Sequence, residues 1–170
     1  MSSVTKIVVT GDAGVGKTTL VHRVIHNEYI EKIRRKIGVG YQNYEIKTEN
    51  KSIQTQIWDF GGEGIYKEKR IFDKYFKGAT VAIIMFDLTN YETFDSLQYW
   101  IESTKRNCKA KIILVGGKKD LVNKPIIEKK TVALIQKENN ISSSYHEVSS
   151  KTRENIEELI KDVVAIIVDE

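Results

Sequence analysis

A chain of 170 residues that is 41% hydrophobic and 29% charged has the balance of one globular domain, long enough to bury about two-thirds of its unfolded surface without a covalent staple. A single cysteine, Cys108, excludes a disulfide framework and points to a reducing, cytoplasmic setting. The net charge of +4 arises from 27 basic residues interspersed with 23 acidic ones, which argues against nucleic acid as a partner, and no stretch nears the roughly 18 apolar residues of a membrane span.

In chain order, apolar runs rich in β-branched residues occur at Lys6–Thr10 (KIVVT), Val81–Phe86 (VAIIMF) and Lys111–Val115 (KIILV). Runs this continuous predict strands buried on both faces, the habit of a parallel sheet covered by helices. Helical periodicity lies between and after them, over Thr18–Asn27, Tyr91–Asn107, Ile126–Glu138 and Arg153–Val168. Tyr41–Thr48 and Ser52–Trp58 alternate apolar and polar residues around ENK, which predicts a hairpin of half-exposed strands, and a short strand is expected near Ser144–Val148. With no linker, no repeat and a single proline, Pro125, residues 1–170 read as one domain. Alternating strands and helices predict an α/β fold whose ligand crevice lies at the carboxyl ends of the strands, in the loops after Thr10, Trp58, Phe86 and Val115.

The first of these loops, GDAGVGKT at Gly11–Thr18, satisfies GxxxxGK[ST] between a strand and a helix. Glycines there let the backbone wrap phosphate oxygens, with N–H groups from Gly14 to Thr18 aimed inward at a helix N-terminus. Lys17 is placed to meet the outer phosphates, and the Thr18 hydroxyl to ligate Mg²⁺. Asp12, Ala13, Gly14, Val15, Gly16, Lys17, Thr18 and Thr19 are the expected phosphate-binding set.

Four further segments accompany that loop in order: IGVGY at Ile37–Tyr41, WDFGG at Trp58–Gly62, GGKKDL at Gly116–Leu121 and EVSSKTRENIEEL at Glu147–Leu159. Together they resemble the Ras superfamily of small GTPases from end to end, nearest its Rab-like branch. The resemblance implies a P-loop NTPase fold: a mostly parallel six-stranded sheet with one antiparallel edge strand and helices on both faces. It implies that Asp120 reads guanine, since a carboxylate can accept from both the ring N–H and the exocyclic amine. Lys118 would lie along the base, Tyr29 would cover its edge, and Ser149, Ser150 and Lys151 would form the loop that meets the guanine carbonyl. Asp59 would hold a water on Mg²⁺, and the Gly62 N–H would sense the γ-phosphate. Effectors, exchange factors and activating proteins would read residues 30–40 and 60–72.

Departures from the family pattern include Phe60 and Gly61, and three others bear directly on the chemistry. The threonine that ligates Mg²⁺ before the second strand is replaced by Lys36, and no Ser or Thr occurs from Glu28 to Tyr44. A lysine offers only donors, so Lys36, within the basic run Lys32–Lys36, could contact phosphate but not the metal. The glutamine that orients the attacking water is replaced by Glu63, which when ionised only accepts. The asparagine of the guanine motif is replaced by Gly117, which predicts a looser loop around Asp120.

The reading that follows is a switch that binds GTP and GDP with Mg²⁺ and hydrolyses GTP slowly, with Lys17, Gly62 and Glu63 as its catalytic group. Two alternatives stand beside it: a pseudo-GTPase scaffold, motivated by Lys36, Glu63 and Gly117, and a P-loop ATPase, motivated by the altered guanine motif. A kinase reading of DFG fails for want of an HRD motif and of length. His22 and His26, four apart, read as helix surface, and the terminal AIIVDE contains no cysteine for prenylation.

Overall fold

A computed structural model describes residues 4–31, 38–48, 51–61, 70 and 72–169. The elements are β1 (Thr5–Gly11), α1 (Lys17–His26), β2 (Val39–Lys47), β3 (Ser52–Phe60), α2 (Asp73–Phe76), β4 (Val81–Asp87), α3 (Tyr91–Asp95), α4 (Leu97–Asn107), β5 (Lys111–Gly117), a 3-10 turn (Lys119–Leu121), α5 (Lys129–Glu138), β6 (His146–Glu147) and α6 (Ile156–Val168). The strands form one sheet in the order β2-β3-β1-β4-β5-β6. β2 alone runs antiparallel to its neighbour, pairing Val39 with Phe60 through to Lys47 with Ser52. The six strands, the antiparallel edge and the parallel remainder are those the sequence predicts.

Alternation along the buried strands builds two cores. Ile7, Val9, Ile83, Met85, Ile113 and Val115 face one side, where Leu20 and Val21 of α1 and Ile156, Leu159 and Val163 of α6 cover them. Val8, Ala82, Ile84, Phe86, Ile112 and Leu114 face the other, against Leu97, Trp100 and Ile101 of α4 and Val132 of α5. Burying a large aliphatic side chain contributes about 1.5–3 kcal/mol, so the continuous apolar strands are intelligible only with helices on both faces.

The helix boundaries differ from the periodicity in three places. The pattern over Tyr91–Asn107 is two helices that meet at Ser96, where the Glu92 carbonyl accepts from both the Ser96 N–H and its hydroxyl, each at 3.2 Å. The helix expected from Ile126 starts at Lys129; Glu128, three residues after Pro125, is still extended, with φ −82° and ψ 140°. The helix expected from Arg153 starts at Ile156, because Arg153 and Asn155 take left-handed conformations and the Asn155 amide donates to the Glu147 carbonyl at 2.7 Å.

Candidate nucleotide site

The end of β1 and the start of α1 make the phosphate loop, and packing explains its first glycine. A Cβ on Gly11 would stand 2.1 Å from the Met85 carbonyl oxygen of β4, and φ is +137°. Only a residue without a side chain lets β1 and β4 approach this closely while the chain turns into the loop. Gly14 and Gly16 also have positive φ, at 78° and 105°, and α1 opens at Lys17.

Lys17 is 6% exposed and its ammonium donates to the Asp12 carbonyl at 2.6 Å, so the side chain folds back over the loop. The Thr18 hydroxyl donates to Asp59 Oδ2 at 2.6 Å, joining the start of α1 to the end of β3. This hydroxyl and carboxylate form a compact pair of hard oxygen donors; that donor chemistry suits a small cation such as Mg²⁺. Gly61 N–H donates to the Gly38 carbonyl at 2.7 Å, tying the backbone after Asp59 to the entry of β2.

The other end of the site is built from the β5 terminus and the loop after β6. Ser149, fully buried, donates from its hydroxyl to Asp120 Oδ1 at 2.6 Å and accepts from the Thr152 N–H at 3.0 Å. Lys118, in a left-handed conformation with φ 61°, pairs its ammonium with Asp87 Oδ2 at 2.7 Å. Burial alone would raise the Asp87 pKa, but hydrogen bonds from Lys118 and Thr89 outweigh it and hold the carboxyl below its ordinary value.

A carboxyl with a depressed folded pKa binds protons less readily than its unfolded counterpart. Its stabilisation is therefore present above the unfolded value of about 3.9 and is lost as pH falls through the folded one. Denaturant unfolding between pH 5 and pH 3 is expected to show a smaller acid loss of stability in Asp87→Asn than in the native chain. An identical pH slope in the two proteins would remove Asp87 from the acid response.

A cleft of about 340 Å³ connects the two ends. Ala13, Gly14, Val15, Gly16, Lys17, Thr18 and Thr19 line one end, and Lys118, Asp120, Ser150 and Lys151 the other. Tyr29, 39% exposed, also lines the cleft.

Several expected residues sit otherwise. Asp12 does not line the cleft: its carboxylate accepts from the indole N–H of Trp100 on α4 at 2.8 Å, and its carbonyl accepts from Lys17. Ser149 is likewise behind the cleft wall and acts on it through Asp120. Gly117 is close-packed rather than slack, because a Cβ there would meet the Val15 carbonyl at 3.0 Å and Met85 Cε at 3.2 Å. The phosphate-loop backbone thus stands against the β5 terminus where the expected asparagine would begin. Lys36, Gly62 and Glu63, with the rest of Lys32–Lys36, lie outside the described residues. Among the described residues no three His, Cys, Asp or Glu side chains gather as a metal cluster, and the His22 and His26 rings are tilted by 40° with centroids 4.5 Å apart.

Sequence reasoning missed Asp87, Trp100 and Arg23. Their partners lie far along the chain, and helical or strand periodicity assigns them only to a face.

The profile described as "Ras family" matches residues 6–169. The mouse "Ras-related protein Rab-36" is 35% identical over 164 residues, which cover 95% of this chain and 61% of that protein. The "GTP-binding protein ypt3" of Schizosaccharomyces pombe is 33% identical over 164 residues, 95% of this chain and 75% of its own. The tobacco "Ras-related protein Rab11A" is 32% identical over 165 residues, 95% of this chain and 74% of its own.

Proposed function

Because this chain belongs to the Ras family, as a Rab-like small GTPase, we propose that it is a guanine-nucleotide switch that binds GTP and GDP with Mg²⁺ and hydrolyses GTP slowly in the cytoplasm. The observation that carries the reading is the continuous cleft with Lys17 and Thr18 at one end and Asp120 at the other.

The loop N–H groups and Lys17 bind the phosphates, and Asp120, held by Ser149, accepts from the guanine ring N–H and amine. The Ser150 N–H faces the guanine carbonyl, and Lys118 and Lys151 flank the base. To do so Lys17 must leave the Asp12 carbonyl it occupies in this structure, exchanging a neutral acceptor for an anionic one on phosphate. Thr18 and Asp59 would hold Mg²⁺, which would neutralise charge on the phosphates.

Slow hydrolysis follows from residue chemistry. Lys36 supplies no oxygen ligand, and an ionised Glu63 beside a γ-phosphate is repelled and cannot donate to it. Gly62 would sense the γ-phosphate, and proteins that act as effectors, exchange factors or activators would read residues 30–40 and 60–72. Among the described residues no helix is long and apolar enough to cross a membrane.

Single-turnover phosphate release from GTP tests the proposal. The expected result is a slow rate above buffer that Lys17→Ala abolishes. A rate equal to buffer, with GDP still bound, would favour the second reading, a pseudo-GTPase scaffold, for which the absence of Ser and Thr from Glu28 to Tyr44 is the motivating observation.

A further inference from the structure

The guanidinium of Arg23, on α1, uses all three of its nitrogens on backbone carbonyls. Nε donates to Ser150 O at 2.6 Å, Nη2 to Lys151 O at 2.9 Å, and Nη1 to Asn27 O, at the end of its own helix, at 2.9 Å. A planar fork of donors suits two successive carbonyls in a way that the single ammonium of lysine does not.

The second of these contacts continues to Asp120. In a trans peptide the C=O and the N–H point in opposite directions, so holding the Lys151 carbonyl fixes the direction of the Thr152 N–H. That N–H donates to Ser149 Oγ at 3.0 Å, and the Ser149 hydroxyl donates to Asp120 Oδ1 at 2.6 Å. One unbroken chain therefore runs from α1, through the Lys151–Thr152 peptide and Ser149, to the carboxylate in the cleft. Arg23 lies six residues, about 9 Å of helix rise, beyond Lys17 at the head of the same helix. A single rigid rod thus carries the phosphate lysine at one end and the anchor of the base loop further along.

We infer that Arg23 is a positioning residue for base recognition, setting through Ser149 the orientation in which Asp120 accepts from the guanine amine. The inference rests on the guanine reading proposed above. It places the determinant of base selectivity partly outside the cleft, on a helix face that touches no nucleotide.

The test compares equilibrium binding of GDP and of inosine diphosphate, which keeps the ring N–H but lacks the exocyclic amine. The native chain is expected to prefer GDP by about 10-fold or more, the worth of a hydrogen bond to a charged group. In Arg23→Lys that ratio is expected to fall at least about threefold, while the thermal midpoint stays close to that of the native protein. Ser149→Ala cuts the same chain further along, so combining it with Arg23→Lys should lower the ratio by less than the product of the two single effects.

Equal weakening of both nucleotides by Arg23→Lys, or an unchanged ratio, overturns the positioning role and leaves the guanine reading standing. Multiplicative effects in the double variant overturn it as well. A native chain that binds GDP no better than inosine diphosphate overturns the guanine reading, and this inference with it.

Discussion

Gly11→Ala is expected to destabilise the domain by about 4 kcal/mol, near the upper end for a single substitution, and to lower its thermal midpoint by roughly 10 °C. The cause is steric and local. The new methyl would lie 2.1 Å from the Met85 carbonyl oxygen, where the obstacle is the backbone of a buried central strand rather than a movable side chain. The positive φ of 137° adds strain that an L-residue cannot relieve without shifting β1. Because β1 and β4 are paired over Ile7–Gly11 and Val81–Met85, such a shift propagates into the centre of the sheet. Gly14→Ala makes the informative control: φ is again positive, at 78°, but nothing lies within 4 Å of the added Cβ. It should lose stability from strain alone, a smaller amount. Calorimetry that found the two variants equally stable would contradict the steric account.

Asp120→Asn is expected to weaken GDP by about 100-fold while leaving the fold intact. An asparagine side chain keeps one acceptor and replaces the other with a donor, so guanine meets an amide N–H where its own amine or ring N–H points. The exchange also reverses a preference. Xanthine carries a carbonyl where guanine carries the amine, and an asparagine can donate to it, so xanthosine diphosphate should bind the variant better than GDP does. Ser149 remains able to donate to the side-chain oxygen, which is why little stability should be lost. Competition binding with GDP, xanthosine diphosphate and ADP checks the prediction. A variant that still prefers GDP would show that Asp120 does not read the base, and ADP as the best ligand of the native chain would favour the ATPase reading.

The parts legible in the sequence were those whose cause is local or periodic. Uninterrupted runs such as Val81–Phe86 have no polar position to turn toward water, so two covering layers follow from the residues themselves. The phosphate loop was legible because its glycines, lysine and threonine must fall in fixed order at a strand-to-helix junction. Helix starts were less so. Left-handed turns at Arg153 and Asn155 interrupt a pattern that apolar spacing alone would carry through.

Least legible were contacts between distant segments. Trp100 sits at an apolar position of α4, and its spacing predicts burial; nothing in that spacing indicates that its N–H meets Asp12, 88 residues away. Arg23 looks like an ordinary exposed cation on a helix until the fold brings Ser150 and Lys151, 127 and 128 residues later, against it. Gly117 shows the same limit from the other side. A missing side chain suggests slack, yet the tertiary fold has brought the Val15 carbonyl into the space.

The two tryptophans of the chain give it two optical reporters in different places. Trp100 is buried and hydrogen-bonded to the phosphate-loop Asp12, so its emission should lie to the blue and respond when that loop closes on a ligand. Trp58 is half-buried in an aromatic row, stacked on the exposed ring of Tyr41 at 4.9 Å, near Tyr75 at 6.0 Å and beneath the Lys6 ammonium at 4.1 Å. Tyr41 and Trp58 lie on β2 and β3 and Tyr75 on α2, and the ends of β2 and β3 adjoin residues 32–37 and 62–69, so this emission is expected to respond to changes at that edge of the sheet. With Trp100 replaced by phenylalanine the second signal can be followed alone, in a protein that carries no added label.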